Sequence, residues 1–262
     1  MSYKYIDEKK AHLHTFDGKA LIGCSTAVGI ISKPLSYWAS GMAVGTLGWT
    51  ATKTDPEMRL EGAKTALETI KMLDGEGWLK MLDVAYKAHA TRLKETASDG
   101  TDLHALLEVY VQSCIDRNGG IPLAHSTGET AQVSAFVDWA LENVQKFLYS
   151  EAHCYSEKHW TGGIFDALAI LKDGRTALFD FKSSKEAYYS QYVQAGGYAT
   201  MVHENGILDS EGNKLGEAKI DVLYIVPFGG DCIPAPHYDV EGMEDSFISA
   251  VKLYKGQNSF TK

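Results

Sequence analysis

The sequence predicts an α/β fold in which a mixed central sheet is flanked by helices and preceded by a mainly helical N-terminal elaboration. Three observations carry this. Apolar residues recur at helical spacing through most of the first half; near residue 148 the pattern turns to short apolar runs separated by tight turns; beyond them helical and strand periods alternate again. The expected division is residues 1–98 as the elaboration, forming one wall of a channel, and residues 99–262 as the core. With 45% hydrophobic and 23% charged residues in a chain of 262, the composition is that of an ordinary globular protein able to bury a core.

In chain order, His12-Leu13-His14-Thr15-Phe16 and residues 19–23 read as a hairpin around an Asp17-Gly18 turn, with Ser25 or Thr26 capping a helix beyond it. Lys33-Pro34-Leu35-Ser36-Tyr37-Trp38 starts another helix, Pro34 suiting its first turn. Residues 56–96 repeat at helical spacing with Gly75 and Gly77 interrupting, which predicts a helical hairpin or two stacked helices. A helix over 101–117 ends at Asn118-Gly119-Gly120, and one over 129–147 follows Ser126 or Thr127 as cap. Strands are expected over 148–155, 163–171 and 175–181, the last two joined at Lys172-Asp173-Gly174. A helix over 185–203, a strand over 220–226 and a helix over 243–254 complete the order.

The formal charge of −9 argues against a protein that coats nucleic acid through its phosphates, which takes clustered Lys and Arg. It is compatible with an enzyme whose carboxylates hold cations. The four cysteines, Cys24, Cys114, Cys154 and Cys232, form no CxxC pair and read as free buried thiols. The opening residues lack the apolar run of a secretory leader and no apolar stretch reaches membrane-spanning length, so a cytoplasmic protein without a membrane partner is expected.

The chemistry is expected at the hairpin of the second and third strands. Asp180-Phe181-Lys182 closes an apolar run, so alternation puts Asp180 and Lys182 on one face and Phe181 on the other. Triplets of Asp or Glu, any residue and Lys are common, and Asp7-Glu8-Lys9, Glu8-Lys9-Lys10 and Glu217-Ala218-Lys219 match as well; context selects Asp180. A hairpin turning at Asp173-Gly174 sets Asp166 beside Asp180. Carboxylates facing each other across a ladder repel, and a divalent cation relieves that. Hard oxygen ligands select Mg²⁺, with Mn²⁺ as substitute, an ion that polarises a phosphodiester and lowers the pKa of bound water. Lys182 would then position the water or steady the charge on phosphate. Read without chemistry, the same residues make a solvent-exposed hairpin with a cross-strand ion pair.

Four segments, in this order, resemble the RecB-like branch of the PD-(D/E)XK nucleases. Gly100-Thr101-Asp102-Leu103-His104 is similar to its GTxxH helix, Gly163-Ile164-Phe165-Asp166 to its GxxD strand, Asp180-Phe181-Lys182-Ser183-Ser184 to its DxK(T/S) strand, and Gln194-Ala195-Gly196-Gly197-Tyr198 to its QxxxY helix. The resemblance implies a restriction-endonuclease-like core in which His104, Asp166, Asp180 and the Phe181 carbonyl bind metal and Lys182 serves the water. Gln194 and Tyr198, four apart on one helix face, would organise the site. Glu151 stands where related nucleases carry an acidic residue ahead of the GxxD strand, and Thr101, Ser183 and Ser184 are candidate contacts to the site or to DNA. Ser183 and Ser184 read equally well as a helix cap, and Trp38, Trp49 and Arg92 as core rather than base-stacking groups.

The activity implied is two-metal-type hydrolysis of DNA, in the first place by an exonuclease of recombination or repair and in the second by an endonuclease. A non-catalytic DNA-binding protein of the same fold and a phosphoesterase acting on small nucleotides are the readings from other classes. DNA is the expected partner; a homo-oligomer and a single-strand annealing or recombination protein are further ones. Phe165 replaces the proline of the family's name. Cys232 alone in the C-terminal part argues against the iron–sulfur cluster that some relatives carry.

Overall fold

The computed structural model describes residues 2–8, 11–31, 36–49, 55–125 and 129–259. Along the chain lie β1 (Tyr3–Glu8), β2 (Ala11–Phe16), β3 (Lys19–Ala20), β4 (Ile22–Gly23), α1 (Cys24–Val28), α2 (Ser36–Thr46), α3 (Pro56–Lys71), α4 (Gly75–Asn118) and α5 (Ala131–Asn143). There follow β5 (Val144–Ser156), β6 (Thr161–Leu171), β7 (Thr176–Lys182), α6 (Tyr189–Asn205), β8 (Ile207–Leu208), β9 (Lys214–Gly216), β10 (Val222–Pro227), β11 (Ala235–His237) and α7 (Val240–Ser259). Two compact units are present: Lys33–Asp99, and Met1–Ser32 together with Gly100–Lys262. The first 32 residues thus join the core unit instead of a helical elaboration running from residue 1 to 98.

The core unit is built on an eight-stranded mixed sheet of order β11-β10-β7-β6-β5-β8-β9, with β4 pairing to β6. β7 runs parallel to β10 and β4 parallel to β6, while β5, β6 and β7 form an antiparallel meander. Helices cover both faces. On one, Phe165, Leu168, Leu178, Leu223 and Ile225 pack against α1, α6 and α7 through Val193, Met201 and Phe247. On the other, Ala167, Phe179 and Tyr224 pack against Leu107 and Val111 of α4 and Phe136 and Val137 of α5. Each fully buried large side chain contributes about 1.5–3 kcal/mol relative to exposure. A separate antiparallel sheet, β1-β2-β3, sits over a small cluster of Tyr3, Phe16, Leu21 and Leu208.

Several boundaries differ from expectation for local reasons. β5 begins at Val144, taking residues 144–147 from the expected helix, because the buried Val144 and Phe147 suit a sheet facing α5. Thr130 caps α5, accepting from Val133 N–H at 3.3 Å; Ser126 and Thr127 lie outside the described residues. Gly23 precedes α1, so Ser25 and Thr26 lie inside it. β1 is a strand that the sequence reading omitted.

In the helical unit, Asp55 accepts from Glu57 N–H at 2.8 Å and Pro56 opens α3. Asp74 accepts from Gly77 N–H at 2.7 Å, so Gly75 and Gly77 start a helix rather than break one. That helix runs on past Gly100, where two helices were expected; one interior glycine costs about 1 kcal/mol, too little to stop it. Residues 33–35, where a helix start was expected, lie outside the described residues. Among those described, no helix is long and apolar enough to cross a membrane.

Candidate metal centre

The meander sets three carboxylates level on three neighbouring strands. Ser150 pairs with Ala167 and Ala152 with Phe165, which brackets Glu151 of β5 opposite Asp166 of β6. On the other side the β6–β7 ladder ends at Ala167 opposite Phe179, one step short of Asp166 and Asp180. In place of that next ladder bond, the Asp166 carboxylate accepts from Phe181 N–H. Glu151 adopts a left-handed conformation, φ 47°, within β5 at the same level. β6 rotates there too: Phe165 belongs to the core under α6 and α7, yet Ala167, two residues on, belongs to the core under α4 and α5. In a regular strand they would share a face.

The rotation turns Asp166 toward α4, where His104 Nε2 lies 3.1 Å from its Oδ1. The His104 ring is held edge-on by Phe181 at 5.7 Å and Phe228 at 6.2 Å between centroids. Glu108, one helical turn further along α4, shares its face. The ligand atoms of His104, Glu108 and Glu151 all lie within 4.8 Å of one another, the one such group of three found among the described residues.

Asp180 lies toward α6, near enough to Asp166 and His104 to feel the charge of each. It is 2% exposed, and Lys182 Nζ stands 2.7 Å from its Oδ2, an oxygen that is buried and makes no hydrogen bond besides that ion pair. Tyr198, also buried, receives a hydrogen bond on its hydroxyl from Gln194 Nε2 at 2.6 Å. Its ring lies against Gly163, where a Cβ would meet Cε1 at 2.5 Å, so the glycine before Asp166 makes room for the tyrosine.

Charge is costly here, and the shifts show it. Burial raises the Asp180 carboxyl, the charge of Asp166 adds to that, and Lys182 offsets only part. Lys182 moves upward as well: burial alone would lower it, and the two aspartates outweigh burial. The Lys182 ammonium stays protonated, since two carboxylates face it. The hydrogen bond to Asp166 raises His104 against the effect of burial. Glu151 keeps solvent access yet is pushed up by partial enclosure, then by the charges of Glu108 and Asp166. Burial and the nearby Asp180 hold the Tyr198 hydroxyl well above its ordinary range.

His104, Asp166, Asp180, Lys182, Gln194 and Tyr198 thus all border one region of the sheet, in two clusters. One is His104, Asp166, Glu108 and Glu151 beside α4; the other is Asp180, Lys182, Gln194 and Tyr198 toward α6. Of the expected ligand set, Asp166 meets His104 through one oxygen and Phe181 N–H through the other, and Asp180 feels the charge of both Asp166 and His104; Glu108 and Glu151 close on the same histidine. Glu108 was missed, since a glutamate four residues after a histidine is ordinary on a helix. Ser184 Oγ accepts from Gln191 Nε2 at 3.0 Å, and α6 starts only at Tyr189, so Ser183 and Ser184 do not cap it. The side chains of Thr101, Trp38 and Arg92 lie outside those described, and Trp49 packs under Arg59, 5.4 Å from its ring.

One imidazole nitrogen and several carboxylate oxygens make a donor set that suits a divalent cation such as Mn²⁺ or Mg²⁺. The enclosure of Glu151 by Glu108 and Asp166 is the strain such a cation relieves. No family model and no curated protein matches the chain.

Proposed function

We propose that this protein is a divalent-metal-dependent deoxyribonuclease with a restriction-endonuclease-like core, acting in the cytoplasm as an exonuclease of DNA recombination or repair. The observation that carries the reading is the level placement of Glu151, Asp166 and Asp180 on adjacent strands, with a buried lysine on one side and a histidine on the other. Four carboxylates, Glu108, Glu151, Asp166 and Asp180, crowded beside one lysine and one histidine are unfavourable for folding alone, which favours a site with a chemical task. The exonuclease assignment and its DNA substrate rest on the four ordered motifs.

His104, Glu108, Glu151 and Asp166 would hold cation, with Asp180 and the Phe181 carbonyl at its α6 side. Bound there, a divalent ion supplies Lewis acidity toward a phosphodiester and a more acidic water. Lys182 keeps its proton and presents a fixed positive charge toward the attacking water or the charge developing on phosphate. Asp180 holds that ammonium in place at 2.7 Å. Phe181 and Phe228 fix the His104 ring, and the Gln194–Tyr198 bond fixes the α6 wall beside Asp180.

The test is cleavage of end-labelled linear, circular and single-stranded DNA with Mg²⁺, with Mn²⁺ and with chelator. Metal-dependent loss of label from linear DNA alone is the expected result. Cleavage of circles would make the enzyme an endonuclease, hydrolysis of mononucleotide esters alone a small-molecule phosphoesterase, and binding without cleavage a DNA-binding protein. Lys182→Ala should lower cleavage by a factor on the order of 10²–10³, the usual loss for one transition-state charge contact. Full activity in a folded Lys182→Ala protein would remove Lys182 from the mechanism.

A further inference from the structure

The helical unit Lys33–Asp99 buries few of its described side chains. Among its described residues only Ala66, Ala85 and Ala88 are buried. Large apolar side chains stand in solvent instead: Leu60 is 59% exposed, Leu67 52%, Leu79 60%, Leu82 41% and Tyr86 78%. The start of α4 shows the imbalance best. Glu76, Lys80, Asp83 and Lys87, at i, i+4, i+7 and i+11, hold one face, and Trp78, Leu79, Met81, Leu82, Val84, Ala85, Tyr86 and Ala88 hold the wider remainder. Among the described residues Trp78 and Met81 are half-buried and Ala85 and Ala88 buried along one side, while Leu79, Leu82, Val84 and Tyr86 stand exposed.

Single exposed leucines need no explanation, whereas a row of large apolar side chains along one helix face, as Leu79, Leu82 and Tyr86 are by their spacing, marks an interaction surface. Its chemistry selects the partner. α3 carries three acidic residues, Glu57, Glu61 and Glu68, against three basic ones, Arg59, Lys64 and Lys71. Residues 75–91 carry Glu76 and Asp83 against Lys80 and Lys87. A surface with no basic excess does not attract a phosphate polymer. In a chain of net charge −9, this balanced stretch is where two copies approach with least repulsion.

Spacing and area agree with that partner. Leu79, Leu82 and Tyr86 stand at i, i+3 and i+7, and Leu60 and Leu67 are seven apart, the seam by which like helices mesh. Five side chains, each burying on the order of 100 Å² by the transfer relation, give roughly 500 Å² per copy. Doubled across a two-fold axis, this reaches the area of about 1,000 Å² that a specific interface needs.

We propose that a second copy of this chain covers the exposed apolar seam of α3 and the start of α4, making the protein a dimer through its helical unit. This is independent of the chemistry proposed for the core. Sedimentation of the full chain over a wide micromolar range tests it. The expected result is the mass of two chains for the unaltered protein and of one chain for Leu79→Glu/Leu82→Glu, with unchanged circular dichroism. Both leucines are exposed in the single chain, so the substitution leaves its fold intact. Should that variant misfold, Leu60→Glu/Leu67→Glu on α3 is the second variant, with the same expectation. As a control, Leu215→Glu on β9, itself 49% exposed, keeps the mass of two chains. An unaltered protein that sediments as one chain throughout, or seam variants that keep the mass of two, overturns the proposal.

Discussion

His104 and Asp166 come from positions 62 residues apart, on a helix and a strand, and their contact sets the protonation of the site. The hydrogen bond raises the imidazole above its ordinary value. A group whose folded value lies above its unfolded one contributes stability that is complete below the unfolded value, about 6.5, and is lost as pH rises through the folded value. Asp166→Asn keeps an oxygen for Phe181 N–H but removes the negative charge. We expect this variant to show a lower His104 pKa by proton NMR, and a stability loss on the order of 1.5–3 kcal/mol near pH 6 that shrinks toward pH 9. An unchanged His104 titration would mean that the pair does not form in solution. At this scale much was legible in the chain. Alternation on an apolar strand put Asp180 and Lys182 on one face, and motif order singled out His104. What escaped was the turn of β6 at Asp166, which brings that carboxylate to His104 and to Phe181 N–H, and with it the place of Glu108 beside the same histidine.

Whole elements were legible where their period was long and regular, as in α3, α6, α7 and the β6–β7 hairpin. They were illegible where packing overrode local preference, as at Val144–Phe147, or where an exposed strand such as β1 has only a tertiary reason to exist. That reason is visible in the β1–β2 hairpin. Tyr3 OH lies 2.6 Å from His14 Nδ1 and 3.2 Å from His153 Nδ1 of β5, tying the hairpin to the main sheet. One hydroxyl carries one proton, so this network is satisfied only when one imidazole donates and the other accepts. Burial, then the neighbouring His153 and His12, lowers His14 to about 4, and burial lowers His153 while Asp209 opposes. A lowered histidine contributes stability that is complete above its unfolded value of about 6.5 and is lost as pH falls toward the folded one. We expect unfolding free energy to fall by about 3 kcal/mol between pH 7 and pH 4 from His14 alone, measured by urea melts. His14→Gln should flatten that limb of the profile. An equally steep loss in the variant would assign the acid sensitivity to other groups.

Over the whole molecule, the acid-rich composition and the site address the same problem. A chain of net charge −9 that also crowds Glu108, Glu151 and Asp166 around one histidine folds against its own repulsion, and a cation that binds only the folded state shifts the balance by mass action. At a free concentration a hundredfold above its dissociation constant, one such ion adds about 2.7 kcal/mol. For a unit of this size that raises the melting temperature by roughly 5–10 °C. The nitrogen ligand favours Mn²⁺ over Mg²⁺, which holds to oxygen and to its waters, so Mn²⁺ should give the larger shift at equal concentration. Chelator should reverse it, and Glu108→Gln/Glu151→Gln should abolish most of it. Because those glutamines also relieve the repulsion, the variant should melt higher than the unaltered protein when both are metal-free. This opposite pair of shifts, upward without metal and smaller with it, separates a cation site from mere surface charge. A melting temperature that ignores Mn²⁺ at millimolar concentration would leave the crowding of these carboxylates without a purpose and remove the footing of the nuclease reading.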